Sequence, residues 1–277
     1  MGKAIVFAVK LIGILLLIAG IAVAGYTAFE YYDKVVPATN AISKAKLVLV
    51  PVSVNKVTND YIEIILDYKI EIEDPKPLEG TVITLLVGDQ ELFTFTIKGD
   101  KTTYGGTIPL KIKYSELVDG RNFTMKIEKE FTELLSLRVN YPVQKEINGK
   151  KVTINTSTIA RDIITSLFTP RLSVEKINST HTRVFMLFYK PKEAVEYNTR
   201  LKVEVYRGTK IVFSTVKTVD LNNKNYEVVS FIVKGVYSDA TIINEPVSSG
   251  VVLKVNIYHA DDGVLLNQFF ILLSPSG

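Results

Sequence analysis

Residues Tyr61–Ile72 read YIEIILDYKIEI. Ile62, Ile64, Leu66, Tyr68, Ile70 and Ile72 fall on one parity, and Glu63, Asp67, Lys69 and Glu71 on the other. Successive side chains of a strand point to opposite faces, so the pattern predicts a long strand with one face in a core and one in water. Half-wet strands of this kind belong to antiparallel sheets, whereas strands of parallel sheets are buried on both sides. The run DPKP at Asp74–Pro77 ends the strand, because proline cannot donate to a ladder.

The same pattern continues outward. TVITLLV and ELFTFTIK flank Gly88-Asp89, a Gly-X hairpin signal, and TIPLKIKY at Thr107–Tyr114 adds another strand. Asn148-Gly149, between VQKEI and KKVTI, predicts a type I′ hairpin. Two short helices are expected. One lies within Met125–Val139, where Ile127, Phe131, Leu134 and Leu135 recur at helical spacing. The other is Thr156–Phe168, with Thr156 or Ser157 as cap, a stripe of Ile159, Ile163, Ile164 and Leu167, and Pro170 as stop. Strand patterns then resume: RLSVEKI, RVFMLFY, RLKVEVY, KIVFSTVKTV, YEVVSFIVKG, VVLKVNIYHA and LLNQFFILL, with turns at Arg207-Gly208 and Asp261-Asp262-Gly263.

The halves echo each other. An alternating strand halts at Pro75-Lys76-Pro77 and again at Pro191-Lys192; Thr81–Lys98 matches Thr199–Lys217, and Leu110–Lys113 resembles Phe231–Lys234. The reading is a mainly β chain with two antiparallel, immunoglobulin-like β-sandwich modules behind an N-terminal helix. The expected divisions are an anchor at 1–32, a juxtamembrane stalk at 33–45, modules at 46–155 and 171–277, and a linking helix at 156–170.

Leu11–Ala28 (LIGILLLIAGIAVAGYTA) carries no charge. Eighteen residues rising about 1.5 Å each match the hydrocarbon thickness of a bilayer. Lys3 and Lys10 precede the run, Glu30 and Asp33 follow it, and Tyr26, Phe29, Tyr31 and Tyr32 form an aromatic belt at the far end. This bias predicts a single-pass helix with a cytoplasmic N-terminus and the rest of the chain extracellular. Pro37 is expected to close the juxtamembrane stretch. Two rival readings of the segment are a signal peptide cut after Ala22-Val23-Ala24 and a pilin-type leader cut near Lys3-Ala4. Lys10 opposes the second, since a charge among packed helices is costly.

Composition narrows the chemistry. The net charge is +4, with no long run of like charge, which argues against nucleic acid. With no cysteine there is no disulfide or thiolate chemistry, and with only His181 and His259 no histidine-rich metal site. His259 with Asp261 and Asp262 has the donors for a hard cation, but Asp and Gly also make polar hairpin tips, and that reading is preferred. His181 is expected at the surface. Phosphate-binding loops, nucleophile elbows and dinucleotide fingerprints are missing from the sequence. The expectation is a chain without catalysis, cofactor or metal. Three sequons, at Asn122, Asn155 and Asn178, fall at turns or element boundaries and are glycosylation candidates. The partners expected are the lipid bilayer through residues 11–28, and self-association or other surface proteins. Strands rich in Lys, Glu, Ile and Val and free of cysteine suit a thermophilic archaeon.

The order of alternating strand, DPKP break, VITLLVGDQELFTFTI, Gly loop and IPLKIKYSEL resembles the group 2 late-embryogenesis-abundant family, whose module is also called the water stress and hypersensitive response (WHy) domain. Ile108-Pro109-Leu110 and Ser115-Glu116-Leu117 match the family's last strand, while Asp74-Pro75 replaces its usual Asn-Pro. The resemblance covers about 46–155 and, more loosely, 171–273. It implies an immunoglobulin-like sandwich, often membrane-anchored in prokaryotes, linked to stress protection and without catalysis. A competing expectation is a subunit of an extracellular filament or pilus assembled by strand-edge pairing.

Overall fold

The computed structural model describes residues 2–195, 197–248 and 250–275, and only the backbone of residues 2–14 and 147. The chain is mainly β, with an N-terminal helix, α1 (Gly2–Glu30), that continues through a π turn at Tyr31–Val35 into α2 (Val36–Ser43). The first half supplies β1 (Lys46–Val57), β2 (Tyr61–Glu71), β3 (Val82–Val87), β4 (Gln90–Thr96), β5 (Thr103–Lys113), β6 (Phe123–Thr132) and β7 (Leu135–Pro142). These form two sheets, ordered β1-β2-β5 and β4-β3-β6-β7. A hairpin, β8 (Gln144–Ile147) with β9 (Lys150–Thr153), and α3 (Thr156–Leu167) come next. The second half adds β10 (Arg171–Lys176), β11 (His181–Tyr189), β12 (Asn198–Arg207), β13 (Lys210–Asp220), β14 (Tyr226–Lys234), β15 (Tyr237–Ile243), β16 (Val251–His259) and β17 (Leu265–Pro275).

The second half repeats the strand order of the first: β10-β11-β14 in one sheet and β13-β12-β16-β17 in the other, with β15 added beside β17. The repeat reaches single residues. β3 and β4 turn through Gly88-Asp89 with Val87 opposite Gln90, and β12 and β13 turn through Gly208-Thr209 with Arg207 opposite Lys210. Gly88 (φ 58) and Gly208 (φ 61) take the positive φ that a two-residue hairpin needs at its first central position. Both ladders then slip by one residue at the same distance from the turn, leaving Leu92 and Val212 as the bulged residues.

Contacts divide the chain into two compact units: Met1–Leu49 with Tyr68–Gly106 and Phe123–Val143, and Val50–Asp67 with Thr107–Asn122 and Gln144–Gly277. In the first, Ile70, Ile72, Leu78, Ile83, Ile97, Tyr104 and Ile127 build a core that also takes Ala38, Ala41 and Ile42 from α2. Tyr68 stacks on Phe93 with ring centroids 4.1 Å apart, and Phe95 on Tyr104 at 4.6 Å. Residues 33–45, expected as a stalk, are thus helical as far as Ser43 and contribute to that core. Pro37 does not end the helix. It sits in the first turn of α2, and the widened turn before it, where the Val36 amide donates to the Tyr31 carbonyl, accommodates a ring that would press on a regular turn.

The helix expected within Met125–Val139 is instead the hairpin β6–β7, closed by Glu133-Leu134 with Thr132 opposite Leu135. The error is physical: Ile127 and Phe131 are four apart, an even number, which puts them on one face of a strand as well as of a helix. The alternation of Phe123, Met125 and Ile127 with Thr124, Lys126 and Glu128 was the better guide.

In the second unit, Val184, Met186 and Phe188 of β11, Leu201, Val203 and Val205 of β12, and Leu253, Val255 and Ile257 of β16 alternate into a core with Val229 and Phe231 of β14. Phe231 stacks on Phe213 of β13 at 5.4 Å. Asn148 (φ 51) and Gly149 (φ 74) both take positive φ in the β8–β9 turn, as the type I′ expectation requires. α3 forms where expected, but its cap is Asn155, whose side-chain oxygen accepts from the Thr158 amide at 2.9 Å. Thr156 is buried, and its hydroxyl donates to Glu116 and accepts from the Arg121 amide. β15 has no counterpart in the sequence reading. Gly235 (φ 122) opens the turn into it, and a Cβ there would stand 2.5 Å from the Tyr237 hydroxyl.

Candidate functional site

α1 is apolar and yet uncovered. Leu15, Leu16, Leu17, Ile18, Ile21 and Val23 are each more than half exposed, and the helix from Leu15 to Ser43 is long and apolar enough to cross a membrane. A bare apolar surface of this extent marks a place where lipid or another protein belongs. Tyr26, Phe29, Tyr31 and Tyr32 are also exposed, near the end of the apolar stretch. The flanking charges Lys3 and Lys10 lie outside the residues whose side chains are described.

Just past that stretch the helix turns polar and meets the sheet of its own unit. Glu30 is only 2% exposed; Lys34 donates to its carboxylate at 2.7 Å, and the Tyr26 and Thr132 side chains lie against it. Next to this pair is a cleft of about 350 Å³ lined by Asp33, Lys34, Pro37, Lys76, Pro77, Lys129, Glu130 and Phe131. Lys129 donates to the carbonyls of Pro77 and Glu79 at 2.6 and 2.9 Å and lies over the Phe131 ring. Partial burial holds its ammonium below the usual lysine range.

The three sequons sit differently. Asn122 and Asn178 are exposed, whereas Asn155 is half-buried with its side-chain oxygen committed to α3. The Asn178 oxygen accepts from the Thr180 amide at 2.9 Å and from the Thr180 hydroxyl at 3.0 Å, an Asx turn at an exposed residue.

His259, expected at a solvated hairpin tip, is buried instead at the end of β16. Its Nε2 donates to the Asn59 carbonyl at 3.1 Å, its Nδ1 stands 2.9 Å from the Asp262 carboxylate, and its ring is 5.3 Å from that of Tyr114. Asn59 accepts from the Asn198 amide at 2.6 Å, and the Tyr114 hydroxyl donates to the Thr58 carbonyl at 2.9 Å. Burial pushes the Tyr114 and Tyr197 phenols far above the usual range. Asp262 accepts from the Val264 amide and Asp261 pairs with Arg200 at 2.9 Å. These donors are spent on the protein itself, in a lock between the β1–β2 turn and the β16–β17 turn. Among the described residues no group of His, Asp and Glu is arranged to hold a metal ion. His181, at the start of β11, is partly exposed and sits 2.8 Å from the Thr180 hydroxyl.

Sequence reading missed Asn59 and Tyr114 and took Glu30 only as a flanking charge. Asn59-Asp60 between two alternating runs was a turn signal, but nothing local shows that a residue 200 positions later closes on it.

No family model matches the chain, and no curated protein matches it. One solved structure with some similarity is a candidate beta-galactosidase from Bacteroides fragilis, 9% identical, with a TM-score of 0.26. The match covers 76% of this chain and 32% of that one. Similarity at that level carries no argument about activity.

Proposed function

We propose that this is a non-enzymatic, membrane-anchored protein whose β-rich part lies outside the cell and serves a structural, protective or binding role there. The observation that carries the reading is an apolar, uncovered helix running without a break into the core of the first unit through Ala38, Ala41 and Ile42. The N-in orientation follows from the sequence flanks, and the protective role from the resemblance to the stress-linked family. Asn178 and Asn122 are the sequons best placed for a glycan, Asn155 the worst. Alkaline carbonate extraction of membranes tests the anchor: the full chain stays in the pellet, and a chain lacking residues 2–28 is released. Release of the full chain would refute it.

A second reading is a filament subunit assembled by strand-edge pairing. β1 is an edge strand, and its Val48, Val50 and Val52 are about half exposed, which suits addition of a further strand. Pro51 lies in the middle of that edge and offers no N–H. Negative-stain microscopy of native material separates the two readings, since regular fibres belong only to the second.

A further inference from the structure

We infer that the first unit rests on the bilayer through a second contact, the tip of the β6–β7 hairpin, with Leu134 inserted beside the aromatic end of α1. The inference rests on α1 being a membrane anchor and adds a lipid-facing site that the helix alone does not require.

The level of the tip follows from contacts within this unit. Lys129, Glu130 and Phe131 of β6 share a cleft with Asp33, Lys34 and Pro37. One residue further on, Thr132 lies against Glu30. Moving along β6 therefore means moving back along the helix, towards its apolar stretch. Strand residues advance about 3.3 Å and helix residues about 1.5 Å, so two residues beyond Thr132 span at most roughly 7 Å, or four to five helix residues. That brings Leu134 opposite Tyr26–Phe29.

Leu134 is 65% exposed there, and Tyr26 and Phe29 are 54% and 66% exposed. A large apolar side chain presented to solvent at a two-residue turn gains nothing in water. At the edge of a bilayer it lies where aromatic and apolar side chains partition, in line with the apolar surface already exposed by Leu15–Val23. Of the two turn residues, Glu133 is exposed and charged and keeps to the headgroup level while Leu134 dips below it; the charges behind them are covered or set back. Glu30 is covered and paired with Lys34, while Lys76 and Lys129 stay in the cleft on the watery side of the tip. Lipid is the occupant favoured by this continuity with the helix surface.

The chain has no tryptophan, so a single introduced one is a clean reporter. The full-length protein in phosphatidylcholine nanodiscs would carry Leu134→Trp, Leu17→Trp on the helix, or Asp89→Trp. Asp89 lies at the opposite end of the same sheet, since Val87 pairs with Phe123 at the start of β6. Expected are a blue-shifted emission and loss of intensity with brominated lipid for Leu134→Trp and Leu17→Trp, and neither for Asp89→Trp. Quenching of Leu17→Trp alone overturns the inference and leaves the anchor standing. Quenching of Asp89→Trp as well means the sheet lies flat and overturns it too. If Leu17→Trp is not quenched, the anchor itself is wrong, and this proposal falls with it.

Discussion

Lys129 and His259 hold the same place in the two halves. Ile127 faces Ile83 in β3 just as Ile257 faces Val203 in β12, and each isoleucine is followed two residues later by the side chain in question. Both side chains do the same chemical job, giving an N–H to backbone carbonyls that no ladder reaches. They differ in whose carbonyls they serve. Lys129 reaches Pro77 and Glu79 in the loop before its own β3, whereas His259 reaches Asn59 in the β1–β2 turn of the preceding half. The hairpins that follow diverge in the same way: Glu133-Leu134 presents an exposed leucine, and Asp261-Asp262-Gly263 folds its carboxylates onto Arg200, Val264 and His259. One strand frame is thus put to two uses, and the choice lies in a few residues at one end of a hairpin.

The equivalence can be tested most severely in the core. Ile127 and Ile257 are both essentially unexposed, so Ile127→Ala and Ile257→Ala should each cost about 2–5 kcal/mol in urea unfolding. A loss well under that range at one position would break the match. Removing the donors should then separate the halves. His259→Ala leaves the Asn59 carbonyl bare and should cost about 1–3 kcal/mol, with faster amide exchange near residues 58–60. Lys129→Ala should have a cost of similar order, with the faster exchange at residues 78–80 instead. Crossed or identical exchange patterns would show that the two side chains are not counterparts.

A smaller effect is expected at the α3 cap, where Asn155→Ala should lose about 1 kcal/mol while Thr156→Ser, which keeps the buried hydroxyl, should lose less. The smallest concerns acid. Where β3 has Thr84, bonded to Thr94 at 2.7 Å, β12 has Glu204 between Lys202 and Tyr206. Lys202 holds the Glu204 carboxyl below the usual range, Lys224 does so for Glu227, and Glu204 in turn pushes the Tyr206 phenol up to about 12. A carboxyl whose folded value is lowered stabilises the fold above the ordinary carboxylate value, and that contribution fades as pH falls below about 4. Thermal unfolding followed from pH 7 to pH 3 should therefore show a fall that E204Q with E227Q makes shallower. An unchanged slope in the double variant would count against these pairs.

Strands were readable wherever one face met a core and the other met water, as in Tyr61–Ile72, and so were turns fixed by a positive φ, as at Gly88 and at Asn148-Gly149. The reading failed where the signal was not local. Met125–Val139 looked helical because a spacing of four serves both structures. β15 was missed because YSDATII takes its place from pairing with β17 rather than from its own alternation. The polar residues followed the same rule. Sequence found His259, Asp261 and Asp262 as a group and read them as a wet tip, but their covering comes from Asn59 and Tyr114, far away in the chain. Glu30 read as a flanking charge; its burial depends on a hairpin a hundred residues further on.

The central claim, an N-terminal helix that spans the membrane with the β-rich part outside, has a direct test because the chain contains no cysteine. Single variants Gly2→Cys and Asp89→Cys would be exposed on intact cells to a membrane-impermeant maleimide. Labelling of Asp89→Cys on intact cells, and of Gly2→Cys only after lysis, is the predicted result. Asp89→Cys that reacts only after lysis would contradict the topology, and Gly2→Cys that never reacts in the mature chain would show that the helix is removed.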